Sequence, residues 1–402
     1  MKIILKKYFL LIALFILVSC VDQNLSNKPA ETPKENQSTQ DNNSESSENV
    51  QKPMPKDPEY YSATISAIGD ILAHGPVYKD ASIGNNQYDF TDMFTQVKPY
   101  IEKADITVAN SESIIGGQKL GLSSYPQFNS PYELADILKD VGVDVVNMAN
   151  NHTLDRGEQA ILNATNYWKK LGIEYVGAAA SVEESQQIKT LTVNNITFSF
   201  LGYTYGTNGL KVPEGKEYLV SYIDEEKMVE DIQKAKEISD IVVLNLHIGD
   251  EYSRTQNEYQ EKIAQLAADN GAHIIFAHHP HVLQPVKWYT GVDGNQAFVI
   301  HSLGNFLSSQ DELYRQIGAL IEVEVDKTIT YDSDGQANTL VEVKNPKILP
   351  TYVKFTDRKD FKVLPMYQLT NEYLPNAATI YNEIKEHMSQ YDPNLQFIES
   401  KP

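Results

Sequence analysis

The stretch IVVLNLHIGDEYSRTQNEYQEKIAQLAADNGAHIIFAHHPH, Ile241 to His281, decides the fold class. Its first six residues, Ile241 to Leu246, form an apolar run of strand length, and Thr255 to Asn270 carries helical spacing. Gly271 stands where that helix should stop, and Ile274 to Ala277 is a second short apolar run. Strand, helix and strand in this order predict a βαβ unit. Histidine follows each strand: His247 after the first, His278-His279-Pro280-His281 after the second. Open α/β sheets bind ligands beyond the carboxyl ends of their strands, so these imidazoles stand where a site is expected.

The same alternation extends upstream. β-type runs at Ala63 to Ile68, Ile106 to Ala109 and Val143 to Met148 are separated by helical spacing over Thr91 to Lys103 and Tyr132 to Val141, and Gly157 to Leu171 follows. A further helix is expected over Asp224 to Ile238. Three more polar segments stand at or just past apolar runs: Gly69-Asp70, Asn110-Ser111-Glu112 and Asn150-Asn151-His152. Hairpin-like pairs interrupt the pattern, at Ile188 to Val193 with Ile196 to Leu201 and at Val286 to Tyr289 with Ala297 to Ile300. Ile317 to Val325 and Leu340 to Val343 read as later strands. The second half is therefore richer in antiparallel strands, which predicts two sheets packed face to face with helices outside. Beyond Lys344 come Tyr352 to Phe355, Val363 to Pro365 and a helix over Ala377 to Met388, on which His387 is expected to face solvent.

The chain opens with Lys2, Lys6 and Lys7, an apolar stretch from Tyr8 to Val18, and Ser19-Cys20. This is a secretory signal that resembles a bacterial lipoprotein signal, which implies cleavage before Cys20 and a lipid on its sulfur. Cys20 is the only cysteine, so it has no disulfide partner within the chain. The apolar stretch is short for an uncleaved span of about 20 residues. Val21 to Pro58 is Asn, Gln, Ser, Glu, Lys and Pro with almost no large apolar residue, and reads as a disordered tether. The expected division is therefore signal 1–19, lipidated Cys20 and tether 20–58, a main domain 59–345 and a C-terminal extension 346–402 packed on it. The net charge of −20 argues against nucleic acid as a partner, because phosphate binding needs clustered Lys and Arg.

Asp, Glu, Asn and His gathered at strand ends suit a two-metal site, which needs a bridging carboxylate, further N and O donors, and an open position for water. Glu112 is the candidate bridge. Gly69 lets the chain turn and aim Asp70, although a strand-end Asp can equally cap a helix. Pro280 between His279 and His281 predicts that an extended backbone sends both rings to one side. Four histidines between Ala272 and Val282 are hard to explain as packing, since a buried imidazole needs partners for both nitrogens. His273 opens the strand and reads as structural. Asn151 offers an amide oxygen as ligand, and His152 beside it can act as general acid or stabilise a leaving group, unless the pair merely makes a turn.

Six segments together resemble the CapA family of bacterial poly-γ-glutamate capsule proteins: Gly69-Asp70, Asn110-Ser111-Glu112, Ala149 to Gly157, His247 to Tyr252, His278 to Pro285 and Ser302 to Phe306. They run in order from roughly Ser62 to Ser308. That family is similar to the calcineurin-like metallophosphoesterases, so the resemblance implies an α/β, four-layer α-β-β-α sandwich of metallophosphoesterase type. It also implies Asp70, Glu112, Asn151, His247, His279 and His281 as metal ligands, with His152 as the adjacent catalytic histidine. Two departures stand out: Leu72 occupies the place of a ligand histidine, and Glu112 replaces the usual aspartate. One metal position is then a donor short unless His74 swings in. Glu251 reads as a partner that orients the histidines, as a general base, or as the start of the next helix. Asn305 is expected to hydrogen-bond substrate, or to make a simple turn.

The expectation is an extracytoplasmic protein, lipid-anchored in the cell membrane, that acts on an anionic envelope polymer, with poly-γ-glutamate in the lead. Capsule synthase membrane subunits are expected partners, and the mixed donors suit two divalent ions of Mn, Zn or Fe. The alternatives are a non-catalytic polymer-binding component of a capsule synthesis complex, and a metal-free envelope lipoprotein that binds a small ligand.

Overall fold

The computed structural model describes residues 56–402. The expected signal peptide, Cys20 and the tether as far as residue 55 lie outside the described residues. Lys56 to Pro58 are exposed and irregular, and β1 (Glu59–Ile71) begins immediately after them.

The first half alternates as expected. After β1 come α1 (Gly75–Asp80), a small ribbon of β2 (Ser82–Gly84) and β3 (Gln87–Tyr88), then α2 (Thr91–Phe94) and α3 (Lys98–Ile101). One helix was expected over Thr91 to Lys103, but Pro99 lacks an amide donor and is tolerated only in a first turn, so the run splits and Pro99 falls at the start of α3. Next are β4 (Ile106–Asn110), α4 (Glu133–Asp140), β5 (Val145–Asn147), α5 (Gly157–Leu171), β6 (Glu174–Val176) and α6 (Val182–Ser185). α5 buries Ala160, Ile161, Ala164, Thr165 and Trp168, one stripe at helical spacing, and ends on Gly172 in the left-handed region.

β7 (Lys189–Val193) and β8 (Ile196–Thr204) make the hairpin across Asn194 and Asn195, both at positive φ. Then follow α7 (Glu225–Ile238), β9 (Ile241–His247), α8 (Glu258–Asp269) and β10 (Ile274–His278). α8 starts later than expected because Asn257 and Gln260 close a capping box ahead of it. The remainder is β11 (Leu283–Thr290), β12 (Gln296–Leu303), β13 (Asn305–Leu307), β14 (Ile317–Tyr331), β15 (Ala337–Thr356), β16 (Lys359–Pro365), α9 (Ala377–Met388) and β17 (Gln396–Phe397).

Two sheets result. One runs β16-β15-β14-β1-β4-β5-β6, with β13 beside β1 and β17 beside β15; the other runs β11-β12-β10-β9-β8-β7. Parallel runs are β1-β4-β5-β6 in one and β8-β9-β10-β12 in the other, with antiparallel strands at one margin of the first sheet and both margins of the second. Between the sheets lies an apolar core that includes Ile65, Val108 and Val145 from one face and Phe200, Val243, Phe276 and Ile300 from the other. Outside the first sheet, α4 and α5 bury Leu134, Leu138, Ile161 and Trp168; outside the second, α7 and α8 bury Met228, Ile232, Ile263 and Ala267. The layers are helix, sheet, sheet, helix, the α-β-β-α sandwich expected from the sequence.

The expected division at 345/346 falls inside β15, and Tyr381, Ile384 and Met388 of α9 join the core between the sheets. His387 is half-buried rather than solvated, with Nε2 3.1 Å from the Leu283 carbonyl oxygen, because α9 is docked there. Among the described residues, no helix is long and apolar enough to cross a membrane.

Candidate metal centre

The parallel strands bring five polar segments to one edge. Registers Asp70↔Asn110 and Asn110↔Asn147 set the ends of β1, β4 and β5 side by side, and His247↔His278 does the same for β9 and β10. Glu112 and the Asn150 to His152 turn lie just past their strands. The sheets close on each other at this edge, so polar side chains from both become buried together: Asp70, Glu112, His247, His279 and His281.

Gly69 has a different role from the one expected. It remains within β1, and a Cβ there would stand 2.2 Å from the Gly304 carbonyl oxygen and 2.6 Å from that of Leu303. The close approach lets Asp70 N–H donate to Gly304 O at 2.8 Å and sets the carboxylate beside β13. A Gly69→Ala variant is expected to lose about 3 kcal/mol of stability in a denaturant titration, because backbone carbonyls cannot give way. Unchanged stability would show that β13 is free to move.

The donors interlock. His281 Nδ1 lies 3.1 Å from Asp70 Oδ2 and 3.2 Å from Asn305 Oδ1. Both of those atoms accept, so Nδ1 carries the proton and Nε2 is free, facing Glu112 Oε1 at 3.7 Å. His247 Nε2 faces Asn151 Oδ1 at 3.0 Å and Glu112 Oε1 at 3.6 Å. Both Glu112 oxygens and His279 Nδ1 are buried without any hydrogen-bond partner among the described residues. Among the described residues, three groups have ligand atoms within 4.8 Å of one another: Glu112, His247 and His279; Asp70, Glu112 and His281; Glu251, His279 and His281. Glu112 belongs to two of these groups, as a bridging carboxylate must.

Electrostatics describes the same gap. Burial and then the Asp70 charge push Glu112 well above the usual carboxylate range. Burial would raise Asp70 too, but hydrogen bonds from His278 and His281 outweigh it and hold it well below that range. His281 is pushed up to about 9 because Glu112 and Asp70 outweigh its burial. Burial, then the neighbouring imidazoles, drives His247 well down and His279 to about 3. Unpartnered carboxylate oxygens beside His247 and His279, both held neutral, are a donor set short of a cation, and divalent ions that take mixed N and O ligands fit it.

His152 stands at the margin, its Nδ1 2.7 Å from Asp155 Oδ2 and its ring edge-on to Phe128. Asp155 is held in turn by the Phe128 N–H at 2.7 Å. Glu251 is exposed on the solvent side of His279 and His281. Tyr205 is half-exposed, with its ring 4.6 Å from that of His279.

Several expectations change. The backbone through His279 and His281 is not extended, since φ is 101° and 59°; a strained turn aims the two rings instead. His74 does not fill the place left by Leu72, because its Nδ1 is bonded to the Leu72 carbonyl and its ring packs on Phe128. Asn305, expected to hydrogen-bond substrate or to make a turn, has no exposed side chain. It is fully buried beside Asp70, with its amide directed to His281 O, Gln310 Oε1 and Arg315 O, so that it positions His281 and the Arg315 turn. The sequence placed His278 and Asn110 in the site segments without a role; His278 Nδ1 is 3.2 Å from Asp70 Oδ1, and the Asn110 amide donates to the same oxygen at 2.9 Å. Their signal was their register at the ends of β10 and β4.

Residues 64–310 match the family model described as bacterial capsule synthesis protein PGA_cap. The chain belongs to this family. Its relatives include the PGA biosynthesis protein CapA of Bacillus subtilis (strain 168), 30% identical over 285 residues that cover 69% of this chain and 72% of that protein. The capsule biosynthesis protein CapA of Bacillus anthracis is 28% identical over 269 residues, covering 64% of this chain and 63% of that protein. The PGA_cap match spans the whole donor cluster, from Asp70 to Asn305. Among solved structures, the chain is similar to a 5'-nucleotidase precursor from Thermus thermophilus, with TM-score 0.40, 13% identity, and coverage of 82% of this chain and 59% of that one. It is also similar to a phosphatase from Mycoplasma pneumoniae, with TM-score 0.41, 12% identity, and coverage of 71% and 95%.

Proposed function

We propose that this PGA_cap protein is lipid-anchored at Cys20 on the extracytoplasmic face of the cell membrane and performs hydrolase-type chemistry on poly-γ-glutamate during its synthesis, export or processing. The observation that carries the reading is Glu112: a fully buried carboxylate, both oxygens unpartnered, shared by two groups of donors. Glu112, His247 and His279, with the Asn151 amide oxygen, would hold one divalent ion, and Asp70, Glu112 and His281 the other. Such ions neutralise anionic substrate groups and supply hydroxide at neutral pH.

The remaining residues have separable tasks. Asp155 holds the His152 ring through Nδ1, which leaves Nε2 to carry a proton to a leaving group. Glu251, exposed beside His279 and His281, is placed to take up a proton released at the centre. Asn305 and His278 fix Asp70 and His281 in position. Membrane subunits of a capsule synthase are the proposed neighbours, and the strongly negative charge leaves nucleic acid aside.

The test is to incubate the purified, metal-loaded protein with poly-γ-glutamate and follow polymer length by size-exclusion chromatography. Shortening is expected, slowed by about 100-fold or more in His152→Ala and by a similar order in Asp155→Asn, with metal content unchanged. One observation favours a second reading, a polymer-binding component without catalysis: with Leu72 in place and His74 engaged elsewhere, the Asp70 group has only three such donors. Intact polymer, with metal bound and His152→Ala indistinguishable from the parent in capsule production, would establish that reading instead.

A further inference from the structure

Beside the metal centre lies a pocket of about 360 Å³ whose walls include Tyr252, Arg254, Tyr314 and Arg315. It shares a wall with the centre. The Tyr252 ring is 6.1 Å from that of His281, and the Tyr252 N–H donates to the Pro280 carbonyl at 2.8 Å. Tyr252 is held at φ 68°, an uncommon conformation for a bulky residue, and such strain gathers at ligand sites. On the other side, Asn305 donates to the Arg315 carbonyl at 2.8 Å while its Oδ1 faces His281. One asparagine therefore ties the pocket to the metal-facing histidine.

Two guanidinium groups are fixed in this pocket. Arg315 lies 3.5 Å over the Tyr252 ring and Arg254 3.9 Å over Tyr314, so stacking sets the plane of each fork. Arg254 Nη1 is paired with Glu383 at 2.6 Å, but its Nη2 is buried with no partner among the described residues. Buried donors are nearly always satisfied, and one that is not calls for an explanation. Among the described residues Arg315 pairs with Glu312 alone, whose side chain is 68% exposed.

The geometry points to a carboxylate-binding subsite at Arg254 and Arg315, which takes the α-carboxylate of the glutamyl residue next to the one at the metal centre. The assignment rests on the proposed action on poly-γ-glutamate. Glu312 and Glu383 balance the two arginines, so the pocket is close to neutral. A planar monoanion received by the two stacked guanidinium groups suits it better than a phosphate dianion, which needs surplus positive charge. Several weak subsites of this kind would hold a polymer in register while leaving it free to advance.

The test is isothermal titration of the full chain with a γ-linked glutamate tetramer and with the same tetramer amidated at its α-carboxylates. Metal content is measured separately on each sample. The acidic tetramer is expected to bind on the order of tenfold more tightly than the amidated one, and Arg254→Gln and Arg315→Gln each to remove on the order of tenfold for the acidic form only. Arg254→Gln also breaks the tie to α9, so Arg315→Gln carries the test if the former fails to fold. Equal affinity for acidic and amidated tetramers, an unaffected Arg315→Gln, or displacement by inorganic phosphate at lower concentration than by glutarate would overturn the assignment. Absence of metal in the parent would overturn the metal centre and leave the comparison of tetramers readable.

Discussion

Protein carrying both His279→Ala and His281→Ala is expected to retain no transition metal on elemental analysis, and the unaltered chain to hold about two equivalents. Each of the three donor groups contains at least one of these histidines, so the double change leaves none intact. Stability should follow. A ligand that binds only the folded state adds about 2.7 kcal/mol when present at 100 times its Kd, so a chelator should lower the melting temperature of the parent and not of the variant. One equivalent in the parent would identify the Asp70 group as the vacated position. Full metal content in the double variant would sink the centre as drawn.

The second large effect concerns Glu112→Gln, and it has opposite signs with and without metal. Burial raises the Glu112 carboxyl well above its ordinary range, so at neutral pH the metal-free fold must either keep a desolvated charge or take up a proton, at a cost of a few kcal/mol. Glutamine has nearly the same shape and no charge. Metal-free Glu112→Gln should therefore melt higher than the metal-free parent at neutral pH, by roughly 5 °C. On addition of Mn²⁺ or Zn²⁺ the order should reverse, because the parent gains binding energy and the variant has lost its bridge. Calorimetry of both proteins, each with and without metal, checks all four states. A metal-free variant less stable than the metal-free parent would mean that Glu112 is satisfied within the fold, and its assignment as a bridge would fall.

Much of this protein was legible before folding because its signals are local. The helices over Gly157 to Leu171 and Ala377 to Met388 occur where their apolar spacing put them. The hairpin at Asn194 and Asn195 follows from the tolerance of asparagine for positive φ. Strand ends that carry Asp70, Glu112, His247 and His279 announced a site, since parallel sheets gather such residues at one edge. Misreadings arose where a single residue outweighed a pattern, as with Pro99 within the expected Thr91 to Lys103 helix.

What the chain determined by itself was the set of parallel strands, the helices that cover them and the kinds of side chain at the site. Which atoms meet was decided only by tertiary packing. The close approach of Gly69 to Gly304 and the hydrogen bonds by which Asn305 ties His281 to the Arg315 turn join separate segments, and the turn through His279 and His281 holds both residues at positive φ. No local preference encodes these contacts. They follow from two sheets closing on one edge, where burial removes water and every polar atom must find a partner or await one.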